Sequence, residues 1–336
     1  MIMKYDFNLD SRCPVFKIIG VGKGGISTVN HLIATTKMSS LEGVEFITVS
    51  TVTSETLPSN AKTHILLEEQ STGWVETPEK NISEPGLCEN DRRVISENIR
   101  NADMVVIINT LGCAITTAGA LFVAEVAKEL EIFTVGLVSS PFAFEGRSRV
   151  KNAAAGAIAL EQRTDSIIVI HNDKLIDQAL MGKEPVSEAY RRVEEALGLA
   201  LKGPIGLVAT PSLICIDIFD VKTILSGGTQ ASFSFGVGRG DNRAEEAVQM
   251  ALTSQLLDGC DLKECKGILI SIFCDRRLET AEINSICDLI QKEVSDDANI
   301  IYGHVIDDQL ENETEKGLLK VTIIASRRSL TDEDKI

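Results

Sequence analysis

Between Val15 and Ile170 the chain alternates short apolar runs with longer stretches in which apolar residues recur three and four apart. The runs are VFKIIGV (15–21), EFITVS (45–50), MVVIIN (104–109), FTVGLV (133–138) and SIIVI (166–170). Strand-like runs separated by helical ones predict a parallel, doubly wound α/β sheet. The first helical stretch is expected over Ser27–Ala34. Residues 59–90 carry little periodicity, with two Pro and two Gly, and read as a long loop or insertion. Loops of that length serve function or simply cover surface, and the pattern does not choose between them.

The second half follows another rhythm. Pro185-Val186-Ser187 opens an amphipathic helix reaching about Lys202, with Ala189, Val193, Leu197 and Leu201 four apart on one face. Gly203-Pro204 is expected to end it. Beyond lie strands around Ile268–Phe273 and Val321–Ala325, and helices over Arg243–Leu257 and Glu279–Glu293, a mixed α+β arrangement.

A chain of 336 residues can bury a sizeable core and suggests two domains. No run approaches the ~18 apolar residues of a membrane span, and the first ten residues, with Lys4, Asp6 and Asp10, lack a leader's apolar core. The net charge of −16 argues against a nucleic-acid partner, since phosphate neutralisation needs clustered Lys and Arg. The eight cysteines are scattered, and Cys260-x4-Cys265 has no second pair at zinc-site spacing, so no metal ligands are assigned. A reducing cytoplasm is the expected compartment.

Candidate chemistry begins at Gly20-Val21-Gly22-Lys23-Gly24-Gly25, between the first strand and the first helix. Such a turn presents backbone N–H groups and a helix N-terminus to a phosphate, and glycine lets the main chain approach closely. Turn geometry alone uses the same residues. Lys23 sits inside the glycines without a following Ser or Thr, so this is not the G-x-x-x-x-G-K-[ST] loop.

The run IIGVGKGGISTVNHLI (18–33) resembles the first nucleotide loop of the FtsZ/tubulin family, usually close to IGVGGGGGNAVNRMI. Further segments resemble that family in order: Ala102–Val105, Val123–Lys128, SPFAFEGRSR (140–149), DSIIVIHNDKL (165–175), CIDIFDVKTI (215–224), Arg243–Ala247 and Asp297–Asp307. The likeness covers most of residues 15–326. It implies a GTP-binding Rossmann-like domain over 1–185, a central helix over 186–202, a C-terminal α+β domain with an acidic catalytic loop over 203–330, and a short tail, 331–336.

The resemblance also implies site residues. Gly20, Gly22, Gly24 and Gly25 match the loop that holds the α- and β-phosphates, while Lys23, Ile26 and Ser27 depart from it. Glu145 and Arg149 match positions on the ribose and phosphate side, and Asn172 matches a nucleotide-contacting Asn. Tyr190 takes the place of a Phe that stacks on guanine. Glu194, one helical turn on, replaces an Asp or Asn at the guanine edge, and a carboxylate can accept from both guanine N1–H and N2–H. An ordinary amphipathic helix would carry the same pair. Asp217 and Asp220 match acids that reach the nucleotide of the next subunit and position the attacking water. Asp220 could equally cap a helix. The implied ligand is GTP or GDP, with Mg2+ as a candidate counter-ion.

One departure stands out. The family's GGGTGTG signature aligns with Gly112-Cys113-Ala114-Ile115-Thr116-Thr117-Ala118, in which Gly112 and Thr117 survive and Thr116 replaces a Gly. Each added Cβ disfavours positive φ and close approach, and Ile115 brings a β-branched side chain where a hydroxyl donor is expected. Val52 likewise stands where the family has an Asp near the metal and γ-phosphate. The base end is kept and the γ-phosphate end is altered. The resemblance implies head-to-tail filaments linked to division, and the altered end implies weakened hydrolysis by this divergent FtsZ-like GTPase. The alternative is a non-hydrolysing paralogue that assembles with an orthodox FtsZ. The chain lacks the linker and terminal peptide by which FtsZ reaches membrane adaptors, so no direct membrane contact is expected.

Overall fold

The computed structural model describes residues 13–51, 58–68, 88–176, 185–210, 216–226, 230–257, 259–307, 310 and 317–327. Val52, Cys215, the tail 331–336 and residues 69–87 of the expected long loop lie outside these.

Strand β1 (Phe16–Val21) is buried at every position and sits inside a parallel array. β2 (Val44–Thr51) and then β3 (Thr63–Leu67) lie on one side of it. On the other side follow β4 (Met104–Thr110), β5 (Phe133–Ser140) and β6 (Ser166–His171), all parallel. The strand order therefore reverses between β1 and β4. In open α/β sheets the crevice at such a switch point, beyond the carboxyl ends of the strands, is where ligands bind.

Successive strand residues face opposite layers. Ile18 joins a core beneath α1 (Gly22–Thr35) and α5 (Val186–Ala209), with Leu32, Val193 and Leu197. Ile19 joins a second core, with Ile99 of α2 (Glu89–Ile99), Phe122 of α3 (Ala114–Glu129) and Leu160 of α4 (Arg147–Glu161). This is the doubly wound sheet that the pattern predicts.

The sheet continues into the second half through a narrow seam. β6 meets β7 (Gln230–Gly238) in parallel over two residue pairs, Ile167–Gln230 and Ile168–Ala231. Beyond it β10 (Leu319–Arg327) runs antiparallel to both β7 and β8 (Cys265–Cys274), and β9 (Asn299–Ile306) closes the edge parallel to β8. α7 (Arg243–Leu252) and α8 (Thr280–Gln291) bury Val248 and Ile286 against this part, while α6 (Ile218–Leu225) joins the core under α5. Among the described residues no helix is long and apolar enough to cross a membrane.

Several boundaries differ from the expected ones. α1 begins at Gly22, so the glycines form its first turn instead of a loop before Ser27. Residues 63–67 of the expected loop form β3. α7 stops at Leu252, and a separate 3-10 turn, Gln255–Leu257, follows Ser254, whose hydroxyl accepts from Leu256 N–H. The largest difference is in α5, which passes Lys202 and Gly203-Pro204 to reach Ala209. Pro204 in a helix interior costs about 3 kcal/mol. Ile205 and Leu207, both fully buried just beyond it, each return about 1.5–3 kcal/mol, so packing overrides the local breaker.

Candidate functional site

The carboxyl ends of β1 and β4 lead directly into α1 and α3. Neither helix has a side-chain hydrogen bond at its N-cap (Val21 and Cys113) or an acidic residue in its first turn. Their leading N–H groups and positive dipole ends carry no acidic residue of their own, a natural seat for an anion. Asn109 braces the two: its Nδ2 donates to Val21 O at 3.0 Å and Thr116 O at 3.3 Å.

A cavity of about 740 Å³ opens at this point. Of the residues singled out from sequence, Lys23, Gly24, Thr116, Glu145, Arg149, Asn172, Tyr190 and Glu194 line it. Ser27, Thr28, Thr110, Cys113, Ile115, Ser139 and Val193 complete the wall. Gly20, Gly22, Gly25, Gly112 and Thr117 do not line it. Gly20 and Gly25 face each other so closely that a Cβ on Gly20 would lie 2.5 Å from Gly25 O. Thr117 is buried against α4, within 2.9 Å of where a Gly156 Cβ would stand. These residues shape the wall from behind.

At one end of the cavity α5 supplies Tyr190 and Glu194, one helical turn apart. The Tyr190 ring stands edge-on to Phe142, centroids 5.3 Å apart at 88°. Burial and then the hydrogen bond to Glu145 push the Tyr190 hydroxyl up to about 12. Glu145 also accepts from Phe142 N–H at 3.0 Å and pairs with Arg149 at 2.9 Å, so its carboxylate organises this wall. Glu194 Oε1 accepts from the Ser27 hydroxyl at 2.6 Å, and Oε2 lies 3.7 Å from His31 Nδ1. Ser27 and His31 sit four apart on α1, one turn above each other, so two side chains of one helix orient the carboxylate of another.

Side chains of the altered signature crowd the end of the cavity beside the first glycine loop. Gly22 has φ +68, and a Cβ there would lie 2.4 Å from Thr116 Cγ2. The Thr116 methyl thus fills space beside the first loop. Its hydroxyl donates back to Cys113 O at 3.2 Å and is not presented to the cavity as a donor. Ile115 lines the same end with an apolar side chain.

Two observations test the fit of a nucleotide. Asn172 is fully buried, yet among the described residues neither its Oδ1 nor its Nδ2 has a hydrogen-bond partner, and the buried Ser139 hydroxyl also lacks one. Orphaned polar groups in a cavity wall carry a desolvation cost that a polar ligand would relieve. Cavity size, bare helix ends and orphaned donors therefore fit a nucleoside phosphate. Mg2+ fits less well. Mg2+ usually takes one or two carboxylates, and those lining the cavity, Glu145 and Glu194, are already engaged, by Phe142 N–H and Arg149 and by Ser27 and His31. The group of potential metal ligands that is present, Glu68, Cys88 and Asp91, lies outside this cavity.

Asp217 and Asp220 are elsewhere. They form a reciprocal capping box on α6: Asp217 Oδ1 accepts from Asp220 N–H at 2.9 Å, and Asp220 Oδ2 from Asp217 N–H at 3.1 Å. α6 follows the far end of α5, and the helix from Glu194 to Ala209 alone spans about 22 Å. The acids therefore do not reach the cavity of their own chain.

The wall residues that the motifs did not single out, Thr110 and Ser139, are polar residues ending the apolar runs of β4 and β5. That position in a parallel sheet is the signal that could have found them.

Fold and cavity together define an α/β nucleotide-binding protein with its site at the sheet's switch point. Comparison with known proteins makes this specific. The Tubulin/FtsZ family GTPase-domain model matches residues 15–179, and the FtsZ family C-terminal-domain model matches residues 229–327. The structure is similar to an empty FtsZ dimer from M. jannaschii (TM-score 0.78, 29% identity, 94% of this chain and 89% of that one). It shares its fold with a GTPγS-bound protofilament of CetZ2 from Haloferax volcanii (TM-score 0.69, 17% identity, 96% and 95% covered). The same holds for CetZ from Methanosaeta thermophila (TM-score 0.66, 18% identity, 94% and 86% covered). The chain belongs to the FtsZ/tubulin family, as an FtsZ-like GTP-binding protein of the cytoskeletal type.

Proposed function

We propose that this protein binds GTP or GDP in the α1–α3–α5 cavity and assembles head-to-tail into cytoplasmic filaments that serve cell division, with weakened hydrolysis. The observation that carries the reading is the division of the cavity into an organised base end and a crowded phosphate end. At the base end Glu194 is oriented by Ser27 and His31, ready to accept from two guanine donors. At the phosphate end Ile115 and Thr116 stand where a triphosphate cradle needs small residues and donors.

Hydrolysis in this reading needs a second copy. Asp217 and Asp220 sit beyond the far end of α5, so only a following subunit could bring them to the nucleotide, where they would orient water and accept its proton. Phe219 between them is 70% exposed, and Phe144 at the cavity end is 61% exposed, apolar surface suited to a contact that repeats without closing. The crowded cradle also favours a second reading, a non-hydrolysing paralogue that completes the site of an orthodox FtsZ beside it. Both readings use the same acids.

GTP affinity and GTP turnover of the purified protein, measured separately, test the proposal. Saturable binding of GTP and GDP, with turnover about a hundredfold or more below an orthodox FtsZ, is the expected result. Absence of binding to either nucleotide would refute it.

A further inference from the structure

The connection between α7 and β8 holds two thiols that none of the preceding chemistry uses. Cys260 Sγ and Cys265 Sγ are 3.6 Å apart, and Cys265 Sγ also lies 3.4 Å from Asp261 O. Turn hydrogen bonds hold both backbones: Cys260 N–H donates to Leu257 O at 2.7 Å, and Cys265 N–H to Leu262 O. Asp261 tightens the segment between, its Oδ1 accepting from Lys263 N–H at 2.9 Å. A disulfide needs sulfurs at about 2.05 Å, so small side-chain rotations would close the gap on a backbone already turned to bring the residues together.

The two sulfurs differ in access. Cys265 opens β8 and is 1% exposed. Cys260 is half-buried and lines an open cavity of about 340 Å³ with Asp261, Lys263 and Glu293. One reachable thiol backed by one sheltered thiol is the arrangement of an attacking and a resolving cysteine. No His, Asp or Glu joins them as a group of potential metal ligands among the described residues.

We propose that Cys260 and Cys265 form a reversible redox site that takes up small-molecule disulfides. The Cys260 thiolate attacks one sulfur of a disulfide RS–SR, forming Cys260–S–SR and releasing RS⁻, which takes the proton that Cys260 gave up. The Cys265 thiol then loses its proton and attacks the Cys260 sulfur, forming the Cys260–Cys265 disulfide and expelling a second RS⁻, which is protonated in turn. Two protein thiols are oxidised and one RS–SR becomes two RSH. The link would pin the α7–β8 connection, whose turn Gln255–Leu257 packs on the Asn172–Leu175 turn carrying Asn172 of the nucleotide cavity.

Oxidised glutathione added to the full-length protein, followed by intact mass and peptide mapping, tests this. The unmodified sequence should lose two hydrogens and yield a linked Cys260–Cys265 peptide that dithiothreitol reverses. Cys265→Ala should stop at a glutathione adduct on Cys260, and Cys260→Ala should give no adduct at Cys265. The proposal is overturned if both thiols survive while other cysteines of the folded protein acquire glutathione. It is equally overturned if an adduct accumulates on Cys260 of the unmodified protein without resolving. Both of these outcomes are read on the unmodified chain, so a variant that fails to fold does not affect them.

Discussion

Glu194 illustrates how far a single residue can be read. Its place one turn after Tyr190 is visible in the sequence, because four-residue spacing puts both on one helix face. The hydroxyl that aims its carboxylate belongs to Ser27, 167 residues earlier, and no periodicity connects the two. Replacing Glu194 with Ala should weaken GDP binding by roughly 1–3 kcal/mol, about 5- to 150-fold, and erase the preference for guanine over adenine nucleotides. Calorimetric titration of both nucleotides checks this, and a Glu194→Ala variant that binds GDP as the parent does would remove Glu194 from the base end. Tyr190 carries a second expectation. Its hydroxyl is raised from the ordinary 10.0 to about 12 in the folded protein. The neutral form is favoured by folding, so this contribution to stability is complete below pH 10 and disappears as pH rises through 12. Tyrosinate absorbance should show one of the three tyrosines ionising late, and the late step should vanish in Tyr190→Phe.

At the scale of elements, legibility follows from where the decisive interaction lies. The five runs that became β1, β2, β4, β5 and β6 declare themselves because a central parallel strand is apolar along its length. β3 and β9 are the two edge strands, and half-exposed edges carry a weaker pattern. The end of α5 was illegible for a different reason: Pro204 is a true local breaker, overruled by a tertiary core that includes Leu269 and Ile324. Arg243 shows the same limit. In sequence it is one residue of a helix, yet in the structure it is fully buried, bonded to Glu282 at 2.8 Å, Asp275 at 3.1 Å and Gly317 O at 2.9 Å. It joins α7 to α8, to the end of β8 and to the start of β10. Arg243→Met strands two buried carboxylates and should cost about 3–5 kcal/mol of stability in urea unfolding. Burial raises the Asp275 carboxyl, but bonds from Arg277, Arg243 and two backbone N–H groups outweigh it and hold it below its ordinary 3.8. That stabilisation is present above about pH 4 and is lost as pH falls, so the acid limb of the stability profile should flatten in the variant. An unchanged acid limb would mean that other carboxylates set it.

For the whole molecule, the α5 helix separates the cavity from the acidic pair. Cavity-lining groups gather at its N-terminal end and the capping pair Asp217–Asp220 lies beyond its C-terminal end, so under the proposed function a single copy would carry both halves of a site without completing one. The family and the fold were legible because they rest on ordered motifs, and the same motifs placed Tyr190 and Glu194 on one cavity wall. The altered signature was legible as a change of residue types, and the structure adds the local geometry: the Thr116 methyl beside Gly22, and a hydroxyl turned back to Cys113 O. Donors aimed at developing charge are each worth about 2.7–4 kcal/mol, so restoring them should matter more than any change at the base end. The most direct measurement is GTP turnover by the parent beside a variant carrying Cys113→Gly, Ala114→Gly, Ile115→Thr and Thr116→Gly. The account predicts slow turnover by the parent, a rise of about a hundredfold or more in the variant, and loss of that gain when Asp217→Ala is added. Rapid turnover by the parent, or a restored loop that leaves the rate unchanged, would contradict it.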